Sequence, residues 1–329
     1  MHYETVCLTG GTGFVGQHLA NRLTQHGYKV RILTRRRERH RALNVNPDVT
    51  LVETDVHNAE ALQQQFSGVD AVINLVGILN ESGNNGAGFR QAHIELPEKI
   101  VAAATASGVS RLLHMSALNA NAGEQHSLYL KTKGKGEDLV HAAADQGLVV
   151  TSFRPSVIFG AGDSFFNRFA ALLKIAGPVF PLACPDSRFA PVCVTDVVEA
   201  MCRSTGDATG GERLELCGPE TFTLAELVGY TRNLLELRCH VTGLNDALSR
   251  LQARVLGLLP GKPFSMDNYY SLQHDSTCTD NALPTLGITP TPIAAVVPAY
   301  LAGQNARGHY PGFRRHSRRN QEHVGLRQS

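Results

Sequence analysis

The chain has 329 residues, 43% of them hydrophobic and 18% charged, with a formal net charge of +2. That length holds a full core and about two domains, and the near-neutral balance excludes a nucleic-acid partner engaged through the molecule's charge as a whole. Seven cysteines, odd in number and nowhere spaced as CxxC, point to buried or half-buried free thiols in a reducing compartment; fourteen histidines without HExxH or HxH spacing point to no metal.

Met1-His2-Tyr3-Glu4 runs into an apolar strand with no basic n-region, so no signal peptide is expected and the chain reads as cytoplasmic. Apolar or β-branched runs predict strands at Thr5–Leu8, Lys29–Thr34, Thr50–Asp55, Ala71–Val76, Arg111–Met115 and Val149–Arg154. Helical stretches fall between them at Phe14–His26, Ala59–Phe66, Gly88–Ser107 and Leu128–Gln146. Strands that alternate with helices imply an α/β fold: a doubly wound parallel sheet of Rossmann type over residues 1–155. Residues 156–303 read as a smaller, mainly helical substrate or docking domain that partly returns to the sheet. Its expected elements are a helix at Phe165–Ala176, a strand at Phe189–Val194, a helix from Thr195, a strand at Arg213–Cys217, and helices from Thr223, Asp246 and Ile293. The apolar stretch Thr291–Gly303 is too short, at 13 residues, to span a bilayer. Residues 304–329 carry six arginines against the single acid Glu322 and read as a flexible basic tail, merely solvated in the first reading and attracted to anionic lipid at the inner face of a membrane in the alternative.

Gly10, Gly11, Thr12, Gly13, Phe14, Val15 and Gly16 close the first strand and open the first helix. Three glycines at this spacing, inside a strand–helix–strand unit, cradle a dinucleotide pyrophosphate on the helix N-terminus. An acid at the end of the second strand would select NAD(H); this chain places Thr34-Arg35-Arg36-Arg37 there. Arg35 and Arg36 are therefore candidate ligands for a 2′-phosphate, and NADP(H) is favoured over NAD(H), the alternative being a solvated basic loop. Asp55 and Val56, and Leu75, Val76 and Gly77, end the third and fourth strands, where open α/β sheets bind ligands; Asp55 could equally cap the next helix.

Ser116 follows the fifth strand, and Tyr129 and Lys133 lie one turn apart on the helix after it. The ammonium is expected to favour the phenolate of Tyr129, leaving Ser116 to polarise a carbonyl or alcohol substrate. Arg168 is a candidate partner for an anionic substrate or for an interdomain salt bridge.

These motifs, with Arg154-Pro155-Ser156-Val157-Ile158-Phe159-Gly160, resemble the extended and atypical branch of the short-chain dehydrogenase/reductase superfamily. Met115–Ala120, Tyr129–Lys133, Gly160–Asp163 with Phe166–Ala170, Cys217–Glu220, Met266–Asn268 and Leu286–Pro292 resemble, within it, the NADPH-binding accessory subunits of respiratory complex I and their bacterial relatives. The resemblance covers nearly everything up to Gly303. It implies NADPH binding through the glycine loop, Tyr129, Lys133 and Pro155, and two possible functions: an oxidoreductase of unknown substrate, or a catalytically silent subunit of a respiratory assembly. A sugar-nucleotide epimerase or dehydratase ranks third, because the gap from Ser116 to Tyr129 is short and no diphosphosugar clamp is visible. Gly134 and Gly136 depart from the pattern, each costing a helix interior about 1 kcal/mol relative to alanine, unless close packing against the cofactor or the sheet requires small residues there.

Overall fold

Strands buried on both faces read as unbroken apolar runs, and here they build one parallel sheet. The computed structural model describes residues 4–83 and 85–302, so the basic tail lies outside the described residues. In chain order the first six strands are β1 (Thr5–Thr9), β2 (Lys29–Thr34), β3 (Val49–Glu53), β4 (Ala71–Asn74), β5 (Arg111–Met115) and β6 (Val149–Pro155). Four short strands follow, β7 (Ile158–Phe159), β8 (Val179–Leu182), β9 (Arg188–Phe189) and β10 (Val192–Cys193), and then β11 (Arg213–Leu216) rejoins the sheet. Its seven strands run in the order β11-β6-β5-β4-β1-β2-β3, every neighbouring pair parallel. The switch in winding direction falls between β1 and β4, which pair from Val6↔Ala71 to Thr9↔Asn74. At such a switch point a ligand crevice opens beyond the strand ends.

Among the described residues seven α-helices precede β11: α1 (Phe14–Gln25), α2 (Ala59–Phe66), α3 (Ala87–Arg90), α4 (Leu96–Ala106), α5 (Leu128–Ala142), α6 (Phe166–Ile175) and α7 (Val194–Arg203). Side chains alternate across the sheet with period two. Val6 and Leu8 pack under α1 and α7, through Leu19, Leu23, Val197 and Met201. Cys7, Val72 and Leu112 pack on the other face under α2, α4 and α5, through Phe66, Ile100 and Val140. After β11 come β12 (Phe222–Thr223), α8 (Leu224–Leu234), β13 (His240–Gly243), α9 (Asp246–Leu256), α10 (Met266–Ser271), α11 (Ala282–Thr285) and α12 (Ile293–Leu301). A separate core joins α6, α8 and α12 through Phe166, Leu173, Leu227, Val228 and Val297. The chain thus leaves the sheet at Pro155 and returns twice, as α7 and as β11.

Several expected boundaries move for identifiable reasons. The third strand stops at Glu53 because Asp55 turns the chain, its Oδ1 accepting the His57 N–H at 3.0 Å. The fourth stops at Asn74, whose Oδ1 accepts the Val76 N–H at 3.1 Å. The expected strand Phe189–Val194 breaks into β9 and β10 around Ala190-Pro191, since proline has no N–H for a ladder. The expected helix Gly88–Ser107 contains a π-helical turn at Gln91–Glu95, between α3 and α4. The short strands β8 and β13, which pair in parallel, and the helix α10 give too little periodicity to be seen in the sequence.

Candidate active site

Gly10 carries the tight turn out of β1, with φ +74°, and a Cβ there would lie 3.0 Å from the Leu75 carbonyl carbon and the Val76 nitrogen. The glycine loop therefore sits directly against the chain leaving β4. Gly16 lets α1 close on the loop, since a Cβ would meet Gly11 Cα at 2.5 Å. Gly13 is exposed and opens α1 as its N-cap, with no side-chain cap and no acid in the first turn. An uncapped helix N-terminus presents free N–H groups and the positive end of the helix dipole. These residues fit a dinucleotide pyrophosphate: a bare cradle, with the third glycine serving packing. Phe14 and Val15 are half-buried beside it.

Arg35 and Arg36 are exposed just beyond β2, and neither guanidinium joins an ion pair among the described residues, whereas neighbouring Arg41 pairs with Glu38. Asp55 is exposed in its turn and does not cap α2, a role taken by Asn58, whose side chain accepts the Ala61 N–H at 3.0 Å. Val56 packs at the edge of the core under α2. Leu75 and Val76 are half-buried and Gly77 exposed at the mouth of the crevice. Pro155 is buried at the end of β6, its carbonyl accepting the Leu118 N–H at 3.2 Å.

Lys133 reaches the end of β5 beside Ser116, and Tyr129 lies one turn before it on α5. Lys133 is buried and its Nζ donates to the Met115 carbonyl at 2.8 Å, one residue before Ser116. A Cβ on Gly77 would lie 3.1 Å from the same Nζ, which places the amine at the crevice. The Ser116 hydroxyl is buried without a hydrogen-bond partner among the described residues. A buried polar group left unpaired is costly, and His57 Nδ1, His114 Nε2 and Ser204 Oγ stand unpaired in the same way among the described residues. Tyr129 is half-buried, its ring held edge-on by His93 and Phe89 at centroid distances of 5.6 and 6.3 Å.

The expectation that Lys133 draws Tyr129 toward its phenolate does not hold here. Burial, then the charge of Asp267, push the phenol up to about 12, and the lysine is engaged with Met115 instead. Burial in turn pushes the Lys133 amine down to about 8, with Glu137 opposing. Asp267 reaches the site by accepting the backbone N–H of Tyr129 at 3.3 Å at the start of α5.

The helix glycines prove to be packing positions. A Cβ on Gly136 would sit 1.8 Å from the His93 carbonyl oxygen, and one on Gly134 2.3 Å from the Asn121 carbonyl carbon. α5 runs unbroken through both.

Two supports escaped the sequence reading. His93, on the π-helical turn, accepts the Ile78 N–H at Nε2 (3.1 Å) and faces Thr132 Oγ1 at Nδ1 (3.0 Å). Burial, then Lys133, keep the ring neutral, so Nδ1 carries the proton and donates to Thr132. His93 thereby ties the chain beyond Gly77 to α5. Asn74 accepts from Thr9 Oγ1 at 2.8 Å and its amide donates to His114 Nδ1 at 3.2 Å, cross-linking the ends of β1, β4 and β5. The irregular turn around His93 was the available signal, hidden inside an apparently regular helix.

Beside Tyr129 lies a cavity of about 560 Å³ between the sheet edge and the smaller subdomain. Arg168 lines it, but its guanidinium donates to the Pro263 carbonyl and forms no salt bridge among the described residues.

The expectation that every cysteine is a free thiol is overturned, for Cys217 and Cys278 form a disulfide. The 278–281 segment is held along β11, where Thr279 N–H donates to Glu215 Oε2 at 2.7 Å and Asn281 Nδ2 to the Cys217 carbonyl at 2.9 Å. Cysteines 61 residues apart carry no spacing signal for such an approach.

Comparison with known proteins agrees with this geometry. Residues 6–216 match the model of the NAD dependent epimerase/dehydratase family. The 40 kDa subunit of mitochondrial NADH-ubiquinone oxidoreductase from Neurospora crassa is 28% identical, over 98% of this chain and 86% of its own length. Ceramide reductase from Caulobacter vibrioides is 32% identical over 75% of this chain and 73% of its own. The fold resembles that of dTDP-glucose 4,6-dehydratase from Streptomyces venezuelae, solved with NAD bound, with a TM-score of 0.70 at 20% identity over 92% of this chain and 98% of that one. With its Rossmann sheet and the glycine crevice at the β1–β4 switch point, the chain belongs to the NAD(P)-binding epimerase/dehydratase family, within the short-chain dehydrogenase/reductase superfamily expected from its motifs.

Proposed function

We propose that the chain is an NADP(H)-dependent oxidoreductase that acts on a carbonyl or alcohol. The observation that carries this reading is the buried, unpartnered Ser116 hydroxyl on the residue after the carbonyl that anchors Lys133. Gly10 to Gly16 would hold the pyrophosphate, Arg35 and Arg36 the 2′-phosphate, Asp55 and Val56 the adenosine side, and Leu75 to Gly77 with Pro155 the remaining nucleotide. The bound nicotinamide supplies hydride chemistry.

The protein's own residues supply the proton and the orientation. Ser116 donates a hydrogen bond to the substrate oxygen. Tyr129, held fully protonated at neutral pH by burial and by Asp267, is poised as an acid toward that oxygen. Lys133 lies one turn along the same face, and its amine, at about 8 mostly charged at neutral pH, would offset the phenolate charge as the phenol gives its proton to that oxygen. His93 and Phe89 fix the ring that must deliver it. Side-by-side titration with NADPH and NADH tests the cofactor. Tyr129→Phe tests the chemistry, since it should abolish reduction of a carbonyl substrate while NADPH still binds. Retained turnover in that variant would refute Tyr129 as the acid.

A second reading makes the chain a cofactor-bound subunit of a larger assembly at a membrane, with no turnover of its own. It is favoured by α9, which leaves Leu248, Leu251 and Val255 exposed along one face, followed by Leu258 and Leu259. Among the described residues no helix is long and apolar enough to cross a membrane, so any membrane contact there would be peripheral. The match to the Neurospora crassa subunit over 98% of this chain supports the same reading. Native electrophoresis of gently solubilised membranes decides it: comigration with a large complex, lost in Gly13→Asp and unaffected by Tyr129→Phe, would favour the subunit. A third reading, a sugar-nucleotide epimerase or dehydratase, has the fold in its favour.

A further inference from the structure

We infer that the substrate carries a long apolar body, an alkyl chain or fused-ring system, whose carbonyl or hydroxyl reaches Tyr129. The chemistry rests on the oxidoreductase reading, but the substrate class rests on the cavity alone. Phe165, Phe169, Leu172, Leu182 and Phe264 line that cavity, and Tyr129 stands in its wall. Its size, about 560 Å³, suits a molecule far larger than a short aldehyde or ketone.

Four polar side chains of the wall are committed to the fold. Gln252 Nε2 donates to the Pro181 carbonyl at 3.0 Å, and Ser271 Oγ pairs with Ser127 Oγ at 2.8 Å. Asn268 closes a capping box with Ser265 at the start of α10. The guanidinium of Arg168 is turned onto the Pro263 carbonyl. Tyr129 differs, because its hydroxyl has no hydrogen bond among the described residues. A nucleoside diphosphate would bring two phosphates to a wall that offers them, among the described residues, the single exposed guanidinium of Arg168, and leaving further charge unpaired there is costly. An apolar body meets the opposite situation. Each methylene removed from water should tighten binding about fourfold, and the Tyr129 hydroxyl gains a partner when the polar head arrives.

Displacement of cis-parinaric acid, a fatty acid whose fluorescence rises in an apolar site, tests this on the full chain without nucleotide. The expected result is one probe bound per chain and displacement by straight-chain 1-alcohols from hexanol to dodecanol. The displacing concentration should fall about fourfold per added carbon. Leu172→Trp, which fills the cavity, should abolish probe binding while NADPH binds as before, and the retained NADPH affinity reports that the variant is folded. Should that variant not fold, the alcohol series on the unaltered chain still decides. NADPH binding with no probe binding, or with no dependence on alcohol length, would overturn the inference and leave the oxidoreductase reading intact. Displacement of the probe by UDP-glucose would also overturn it. Probe binding without NADPH binding would uphold the apolar site and refute the cofactor reading instead.

Discussion

The carbonyl oxygen of His93 occupies the space where a side chain on Gly136 would begin, 1.8 Å from an ideal Cβ. The π-helical turn and α5 therefore touch backbone to backbone, and that contact sets how deeply Tyr129 and Lys133 project toward the crevice. Helix propensity alone favours alanine at this position by about 1 kcal/mol. Overpacking against backbone that cannot step aside costs more, typically about 1–3 kcal/mol and sometimes beyond.

Gly136→Ala should accordingly destabilise the chain, against its helix propensity, and should weaken NADPH binding as α5 is displaced. Gly229, inside α8, is the internal control, because a Cβ there meets nothing within 4 Å. Gly229→Ala should stabilise by up to about 1 kcal/mol. Denaturant unfolding of the two variants beside the unaltered chain measures both signs. Equal behaviour at the two glycines would show that the close approach of α5 does not exist.

How much of this was legible in the sequence depends on how local each signal is. The glycine loop, the Ser116–Tyr129–Lys133 set and six of the seven sheet strands follow from residues close together in the chain, where period and spacing suffice. β11 was visible as a strand, but its place beside β6 was not, since that depends on a crossover of more than 50 residues through the smaller subdomain. The same holds for Asp267, which reaches the start of α5 from 138 residues away, and for the bridge from Cys217 to Cys278. Gly134 and Gly136 were seen, with close packing as one of two readings, but the backbone they touch belongs to other elements and could not be named from the sequence. His93 looked like one more polar residue on an amphipathic helix.

Lys133 gives the chain a pH dependence. Its ammonium is 5% exposed, and burial lowers its folded value to about 8 from 10.5. The folded chain then binds fewer protons than the unfolded chain between those values, so stability rises with pH across that window and the full cost is present below it. Lys133→Met removes the titration. Between about pH 7 and about pH 9.5 the unaltered chain should gain about 2 kcal/mol relative to the variant. Guanidinium unfolding at the two pH values checks it, and a gap that stays constant would mean that the amine titrates as it does in water.

Oxidation state should matter to the link between the sheet edge and the segment before α11. The Cys217–Cys278 bridge closes a span of 61 residues, for which loop entropy predicts a stabilisation of about 4 kcal/mol as an upper value. Thiol titration of the unfolded chain before reduction should find five reactive cysteines, matching Cys7, Cys184, Cys193, Cys202 and Cys239. Reduction should raise the count to seven and lower the melting temperature. Seven thiols before reduction would restore the free-thiol expectation and remove the bridge from the account of stability.

On the proposed function, Arg35 and Arg36 would carry the distinction between NADP(H) and NAD(H). Both stand exposed beyond β2 without an acidic partner among the described residues, while Glu53 at the end of β3 accepts the backbone N–H of Arg37 at 3.1 Å. That carboxylate is therefore turned to the loop backbone instead of pairing with either guanidinium. A charge-assisted contact with a phosphate is worth about 1.5–3 kcal/mol, so Arg35→Ala or Arg36→Ala should weaken NADPH binding at least about tenfold. NADH affinity should stay where it is, because its ribose offers no phosphate to lose, and the preference should shrink as salt is added. Parallel fluorescence titrations with the two nucleotides measure the difference. If both nucleotides weaken together, the arginines shape the loop; if neither changes, the 2′-position of the ribose is read by other residues.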